Sequence, residues 1–481
     1  MVIHSTSIMS DIIPNNGFLG RTRSMLRRAL KDVISVTNFG RVKTLRPDLP
    51  EDDLITLKEL IDVSLSGRGG EALARGNAAE LGRYYLDLNE IGQLKFFNLL
   101  SREYGVVKDQ LKLAMDAVQI SADNTIDYEL AVNKLRECLL SPRTKLFRQF
   151  NSLDHGIKFL VDMRADLRQL INTNPELRSV DNELRSLLSG WFDAGFLELR
   201  NVTWSAPADL LEKLIDYEAV HEIESWTDLK NRLESDRRCY AFFHPNMPDE
   251  PLIFVEVALV DGIAGNVQDL LDATAPTENP EKANAAIFYS ISNAQEGLSG
   301  VSFGDFLIKQ VLEKLSHELP NIKTFATLSP IPGFSEWLEN LCNSGKSFLN
   351  SDELSQLNSL ADTVNDSHVL ISLLNQKNWY NNDAICKALE PIMLRLAADY
   401  LLNQRRKNKG TALDSVAHFH LSNGAQIEKI NWLADCSNRG IKQSAGMMVN
   451  YLYGVEQILE NHESYITGNE IPASNAVKLL I

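Results

Sequence analysis

The sequence predicts an α+β chain in two parts, an all-helical bundle followed by a domain with a mixed β-sheet. Three observations carry this prediction. Through residue 192 the apolar positions recur at helical spacing, with no strand pattern between them. Between Trp191 and Trp204 the texture changes to period-two alternation, the signal of a half-buried strand. Beyond that point β-rich runs and helical runs alternate, as in a sheet with helices packed on it. With 481 residues the chain exceeds one ordinary core, so two domains are expected, 1–192 and 193–481, the second with a helical insert near 351–410.

In chain order, Pro50 followed by Glu51, Asp52 and Asp53 marks a helix start, because carboxylates are favoured at the positive end of a helix dipole. Leu54, Leu57, Leu60, Ile61 and Leu65 then fall on one face. Similar stripes run through Ala79–Leu88, Leu94–Tyr104, Tyr128–Leu140 and Gly156–Ile171. Gly67, Gly69, Gly70 and Ala72 mimic a dinucleotide fingerprint, but no strand precedes them, so they read as an interhelix turn. In the second half Phe196–Trp204 is a strand. Cys239–Phe243 and Leu252–Leu259 are paired strands across a Pro/Asn/Asp turn. Ala286–Ser292 and Lys323–Ser329 are further strands, Ser351–Gln404 is helical, and Val416–Leu421 is expected to return to strand.

Composition narrows the function classes. A hydrophobic share of 44% with 23% charged residues describes a globular chain, and no apolar run approaches the roughly 20 residues that span a bilayer. A net charge of −16 argues against a nucleic-acid partner, which needs a basic surface. Five separated cysteines without a CxxC pair argue against zinc and disulfide frameworks. A cytoplasmic location is expected. The basic stretch with Arg21, Arg23, Arg27, Arg28 and Lys31 reads as a solvated first helix, with an organelle-targeting remnant as its alternative.

Four local features bear chemistry. After the strand Ala286–Ser292, the segment Ser299, Gly300, Val301, Ser302, Phe303, Gly304, Asp305 enters an amphipathic helix. Such a turn offers N–H groups and a helix dipole to an anion, and an ordinary β–α turn is equally consistent with it. Pro330 and Pro332 stiffen the loop after Ser329 and hold its hydroxyl in one direction, whether in a structural turn or in an active-site loop. His418 and His420, two apart on an expected strand, would share one face. No third ligand stands near for a metal, so a histidine proton donor and a structural histidine are the readings. Arg405, Arg406, Lys407 and Lys409 suit a solvated helix C-terminus, with contact to an anionic phosphate as the alternative.

Several of these runs together resemble the malonyl-CoA decarboxylase family. They are Phe288–Ser292, Phe306–Lys309, Leu328–Phe334, Phe419–Leu421 with Asn423–Ala425, and Asn431–Asp435 through Tyr453, in the family's order and spacing. The resemblance extends to Leu65–Arg75 and covers the chain beyond its N-terminal segment. It implies a helical domain joined to a GNAT-like (acetyltransferase-fold) catalytic domain. It also implies conversion of malonyl-CoA to acetyl-CoA and CO2, a step of fatty acid metabolism, without metal or organic cofactor. Carried onto this chain, Ser299–Asp305 becomes the CoA-phosphate turn, His420 the catalytic histidine and Ser329 the catalytic serine, with Ser290 and Tyr453 as the polar residues around them. Where the family can carry glutamate, this chain has Ser302. His420 is expected to protonate the enolate, since an imidazole titrating near neutral pH can hold and surrender a proton. Ser329 is expected to orient carboxylate or enolate, and Tyr453 with Ser290 to hold the array. Asn423 and Asn431 are read as strand-end residues, with support of the reacting side chains as the alternative. A homo-oligomer, dimer or tetramer, is expected through the helical domain. The rival readings are a CoA-dependent N-acyltransferase on the same fold and a non-catalytic acyl-CoA-sensing protein.

Overall fold

The computed structural model describes Leu26 and residues 44–481, except 67–69, 122–124, 302–305, 362–367, 408–409 and 468–469. The basic stretch from Arg21 to Lys31 therefore lies outside the described residues. The chain forms two compact units: residues 1–197 with 244–250 and 295–302, and residues 198–243 with 251–294 and 303–481. Two short excursions of the C-terminal half thus belong to the helical unit.

The helical unit has helices at Glu51–Leu65, Gly70–Asp87, Glu90–Glu103, Lys108–Ile120, Thr125–Leu139, Pro142–Asn151, Gly156–Ile171 and Arg178–Trp191. The first begins where expected, with Glu51, Asp52 and Asp53 in its first turn, and Asp53 accepts hydrogen bonds from the Arg46 backbone N–H and Nε, both at 2.9 Å. Edge-to-face rings fill the core, among them Tyr85 against Phe96 and Phe159 at centroid distances of 5.1 and 5.7 Å. An ion pair of buried Arg143 with half-buried Glu183 at 2.6 Å ties helix Pro142–Asn151 to helix Arg178–Trp191.

The second unit is built on an eight-stranded mixed sheet. Its strands are β1 Glu198–Val202, β2 Arg237–Phe243, β3 Ile253–Val260, β4 Ala285–Asn293, β5 Thr324–Thr327, β6 Ser329–Pro330, β7 Gln426–Asn431 and β8 Met448–Leu452. β1 to β4 pair antiparallel, β4 and β5 pair parallel, and β8 pairs antiparallel with β5, β6 and β7. One correction concerns Val416–Leu421, which is not a strand: Ser415–Ser422 is a helix. Asp414 decides this, its side chain accepting the N–H groups of Val416 and Ala417 at 2.9 Å as an N-cap. The strands of that region are β7 and β8, and the β-rich Ile427, Ile430, Met448 and Val449 signal them.

Two features of β4 place the site. Its parallel register with β5 ends at Phe288 opposite Thr327, so the two strands part just beyond. On the other edge Val257 faces Phe288 and Glu256 faces Ser290, which makes Tyr289 the extra residue of a β-bulge. A bulge takes a peptide group out of the ladder and re-aims the chain locally.

Candidate active site

Where β4 and β5 part, a cavity of about 270 Å³ opens, lined by Val255, Phe288, Tyr289, Ile291, Ser329 and His420 among others. Its walls are largely apolar, and Ser329 and His420 line it together with the polar Asn293 and Ser415. The stiff loop holds Ser329 as expected, and the side chain is 6% exposed.

Ser329 Oγ lies 3.1 Å from His420 Nε2, and His420 Nδ1 lies 2.8 Å from the Tyr453 hydroxyl. Ser329 Oγ donates to Thr327 Oγ1 at 2.9 Å, which also accepts the Tyr451 N–H at 3.2 Å. The Tyr451 ring stacks on His420 with centroids 4.5 Å apart at 24°. Asn450, wholly buried, donates to the Thr327 carbonyl at 2.7 Å and accepts from Asn431 at 2.7 Å.

Burial sets the protonation states. With no compensating charge, it pushes the His420 imidazole down to about 3 and the Tyr453 phenol well up. The expectation of an imidazole titrating near neutral pH is thereby corrected: His420 is neutral at pH 7. Tyr453 keeps its proton and donates it to Nδ1, so the ring hydrogen is on Nε2. The Ser329 hydroxyl proton is committed to Thr327, so Nε2–H donates to Ser329 Oγ. The chain of donors is closed.

This burial has a consequence for stability. Between about 6.5 and about 3 the unfolded chain binds a proton at His420 that the folded chain refuses, so stability falls as pH drops through that window. His221, pushed down to about 4 by burial, adds to the same slope. Urea unfolding at pH 7, 6 and 5 should show a steeper loss for the wild type than for His420→Asn, by about 1.4 kcal/mol per pH unit at most. Equal slopes would mean the imidazole is not held neutral.

The remaining expected residues separate. His418, on the helix rather than a strand, does not share a face with His420; it bonds the Tyr465 hydroxyl at 2.8 Å and Ser422 at 3.3 Å. Ser290 is buried one residue past the bulge, and its bonds run to the Glu218 carboxylate at 2.7 and 2.9 Å and to Ser292 at 3.2 Å, not to Tyr453. Glu218 also accepts the N–H groups of Val220 and His221 at 2.8 and 2.9 Å, and Val220 lines the cavity. Beside this segment Arg232 pairs with Glu256 at 3.0 Å, both almost wholly buried. Asn423 is not at a strand end: its side chain donates to the Phe419 carbonyl at 2.8 Å, at the C-terminus of the His420 helix. Asn431 does end β7. Arg405 follows the helix ending at Asn403 and forms a bridge with Ala412, while Lys409 lies outside the described residues.

Of the glycine turn, Ser302, Phe303, Gly304 and Asp305 lie outside the described residues. Ser299, Gly300 and Val301 belong to the helical unit, and Gly300 has φ +76°, a conformation suited to glycine. Arg164, 1% exposed and paired with Asp181 at 2.8 Å, donates to the carbonyls of Gly297 and Ser299 at 2.7 and 2.9 Å. Gly297 packs so closely that a Cβ there would sit 1.8 Å from the Val161 carbonyl oxygen.

Thr327, Tyr451, Glu218 and Asp414 were not read from the sequence as site residues. Period two on β8 puts Tyr451 on the face of Tyr453, and an aspartate immediately before Ser415–Leu421 is a helix-cap signal. Glu218 has no local signal.

Among the described residues no group of three or more His, Cys, Asp or Glu side chains is arranged to hold a metal, and no helix is long and apolar enough to cross a membrane.

Residues 195–481 match the profile of the malonyl-CoA decarboxylase C-terminal domain, and residues 104–192 that of its N-terminal domain. A curated relative, the mitochondrial malonyl-CoA decarboxylase of Anser anser anser, is 38% identical over 422 residues, 84% of this chain and 83% of its own length. The Rattus norvegicus protein of the same name is 37% identical over 85% of this chain and 86% of its own. Crystal structures of malonyl-CoA decarboxylases from Rhodopseudomonas palustris and Agrobacterium vitis, each 40% identical, superpose with TM-scores of 0.81 and 0.80. They cover 89% and 88% of this chain and 99% of each of theirs.

Proposed function

The chain belongs to the malonyl-CoA decarboxylase family, and from that premise we propose how its site converts malonyl-CoA to acetyl-CoA and CO2. The observation that carries the proposal is the Tyr453–His420–Ser329 chain ending at the cavity where β4 and β5 part.

Loss of CO2 breaks a C–C bond whose electron pair moves into the thioester carbonyl, giving an enolate. That bond must stand across the plane of the carbonyl for the orbitals to overlap. The enolate oxygen then needs fixed donors in a dry site. An apolar cavity beside a β-bulge provides that setting, and the thioester is proposed to lie there with its carbonyl near the Tyr289 peptide. When substrate enters, the Ser329 hydroxyl turns its proton from Thr327, and His420 its Nε2–H from Ser329 Oγ, to the departing carboxylate, which the two then orient. Once CO2 leaves, Nε2–H is the proton nearest the α-carbon. The α C–H of a thioester is a much weaker acid than an imidazole N–H, so a neutral imidazole suffices as donor. Tyr453 shifts its proton toward Nδ1 as Nε2 gives one up, and water restores the pair. No metal or organic cofactor enters this route. Ser299–Asp305 is proposed as the CoA-phosphate turn, supported by the Arg164 hydrogen bonds that hold its first residue.

Incubation of the purified chain with malonyl-CoA alone in deuterated water tests the reading. Mass analysis should find CO2 and acetyl-CoA with one solvent deuterium in its methyl group. Unchanged malonyl-CoA would indicate a binding protein, and turnover only with an added amine would indicate an acyltransferase; either result overturns the proposal.

A homo-oligomer is also proposed. Helices Lys108–Ile120 and Thr125–Leu139 pack on each other yet leave Leu113, Ile120, Ile126 and Leu130 between 64% and 84% exposed, an apolar face suited to a second copy. Leu113→Glu with Leu130→Glu should give a smaller species by sedimentation; an unchanged mass would exclude this face. The cytoplasmic placement remains part of the proposal. Recovery with mitochondria, the compartment in the relatives' names, would overturn it in a fractionation experiment.

A further inference from the structure

One carboxylate touches both segments that deliver the reacting pair. Asp414 is 2% exposed. Its Oδ1 accepts the N–H groups of Val416 and Ala417, both at 2.9 Å, which starts the helix carrying His420. Its Oδ2 accepts the N–H of Gly333 at 3.3 Å. Gly333 closes the segment Ser329-Pro330-Ile331-Pro332, in which two prolines fix φ and leave little slack between Gly333 and Ser329. The Tyr400 hydroxyl fills the space at Gly333, where a Cβ would come within 2.3 Å of it.

A helix cap needs one acceptor oxygen. The second oxygen, on the Ser329 loop, is what a cap alone does not require. We infer that Asp414 is a positioning residue that sets the Ser329–His420 separation by holding the serine loop and the histidine helix on a single carboxylate. It touches no substrate and acts through the two side chains it aligns. This rests on the Ser329–His420 reading of the function given above.

Asn in place of Asp separates the two roles. Its Oδ1 caps a helix about as well as aspartate does, but its amide nitrogen would face the Gly333 N–H, donor against donor, and the loop must move. Misplacement of reacting groups by about 1 Å costs on the order of 10²-fold in rate. Asp414→Asn is therefore expected to fold with a melting temperature lowered by no more than about 10 °C and with KM for malonyl-CoA little changed, while kcat falls about 10- to 100-fold. Gly333→Ala should lower kcat by moving the same loop, and Gly333→Ala with Tyr400→Phe should regain part of it, because loss of the hydroxyl makes room for the Cβ.

His420→Asn is assayed alongside. If His420→Asn loses turnover while Asp414→Asn keeps wild-type kcat, Asp414 is a cap only and the inference is overturned. Should Asp414→Asn not fold, the Gly333 pair decides, and no recovery in the double variant overturns the inference. If His420→Asn itself keeps turnover, it is the underlying functional reading that has failed.

Discussion

His420→Asn is expected to lower kcat by about 10²–10⁴-fold, the usual range for loss of a positioned proton donor, with KM for malonyl-CoA little changed. Asn roughly fills the near part of the imidazole space but cannot span from Tyr453 to Ser329, a path of two bonds at 2.8 and 3.1 Å. It also removes the ring that Tyr451 stacks on. Ser329→Ala should act on the same step. Because the two groups work as a unit, the double variant should be little worse than the weaker single one. Steady-state kinetics with malonyl-CoA check both. Additive losses would separate the serine from the histidine, and retained turnover in His420→Asn would remove the imidazole from the mechanism.

Arg232→Met is expected to destabilise the fold by about 3–5 kcal/mol, the range for removing one partner of a buried ion pair. Arg232 and Glu256 are 2% and 1% exposed at 3.0 Å, and Arg232 also donates to Asp228 and to the carbonyls of His221 and Glu222. Burial raises the Glu256 carboxyl even with Arg232 beside it, so without the guanidinium the orphaned group would take a proton, which limits the loss toward the lower end of that range. Adding Glu256→Leu should recover part of it, since an apolar pair of similar volume can replace a buried ion pair. The backbone of His221 and Glu222 would still lose its donor, so the Val220 wall of the cavity should loosen and KM should rise. Urea unfolding and KM measured together check this. Wild-type stability in Arg232→Met would mean that the pair contributes nothing.

The helical half was legible because each helix repeats its own local rule. Leu57 and Ile61 fall at i and i+4 and are both buried, and Glu51–Asp53 announce the start. Most strands were legible from short apolar runs bounded by turn residues, as in β2 and β3, whose nearly continuous apolar runs pair in register from Arg237–Ala258 to Phe242–Ile253. The His420 segment was misread because Val416-Ala417-His418-Phe419-His420-Leu421 alternates apolar and polar side chains over a stretch too short to distinguish the two periods. Asp414 tips it to helix. That difference moves His418 to Tyr465 and leaves His420 alone at the cavity.

The side chains proposed to react could be named from the linear order of residues, since Ser329, His420 and Tyr453 stand in motifs that resemble one family. Their protonation could not be read that way. An imidazole in sequence carries only its ordinary tendency to titrate near neutral pH; burial, with no opposing charge among the described residues, forces it neutral. Ser290 shows the same limit, since its placement past the Tyr289 bulge turns it to Glu218. Local patterning along the chain determined which segments are helices and strands, because propensity and burial period act over a few residues. Only the folded sheet decided which groups meet. Ser329 and His420 are 91 residues apart and His420 and Tyr453 are 33 apart. Their contact depends on β4 and β5 separating after four paired residues, a geometry set by packing across the whole unit.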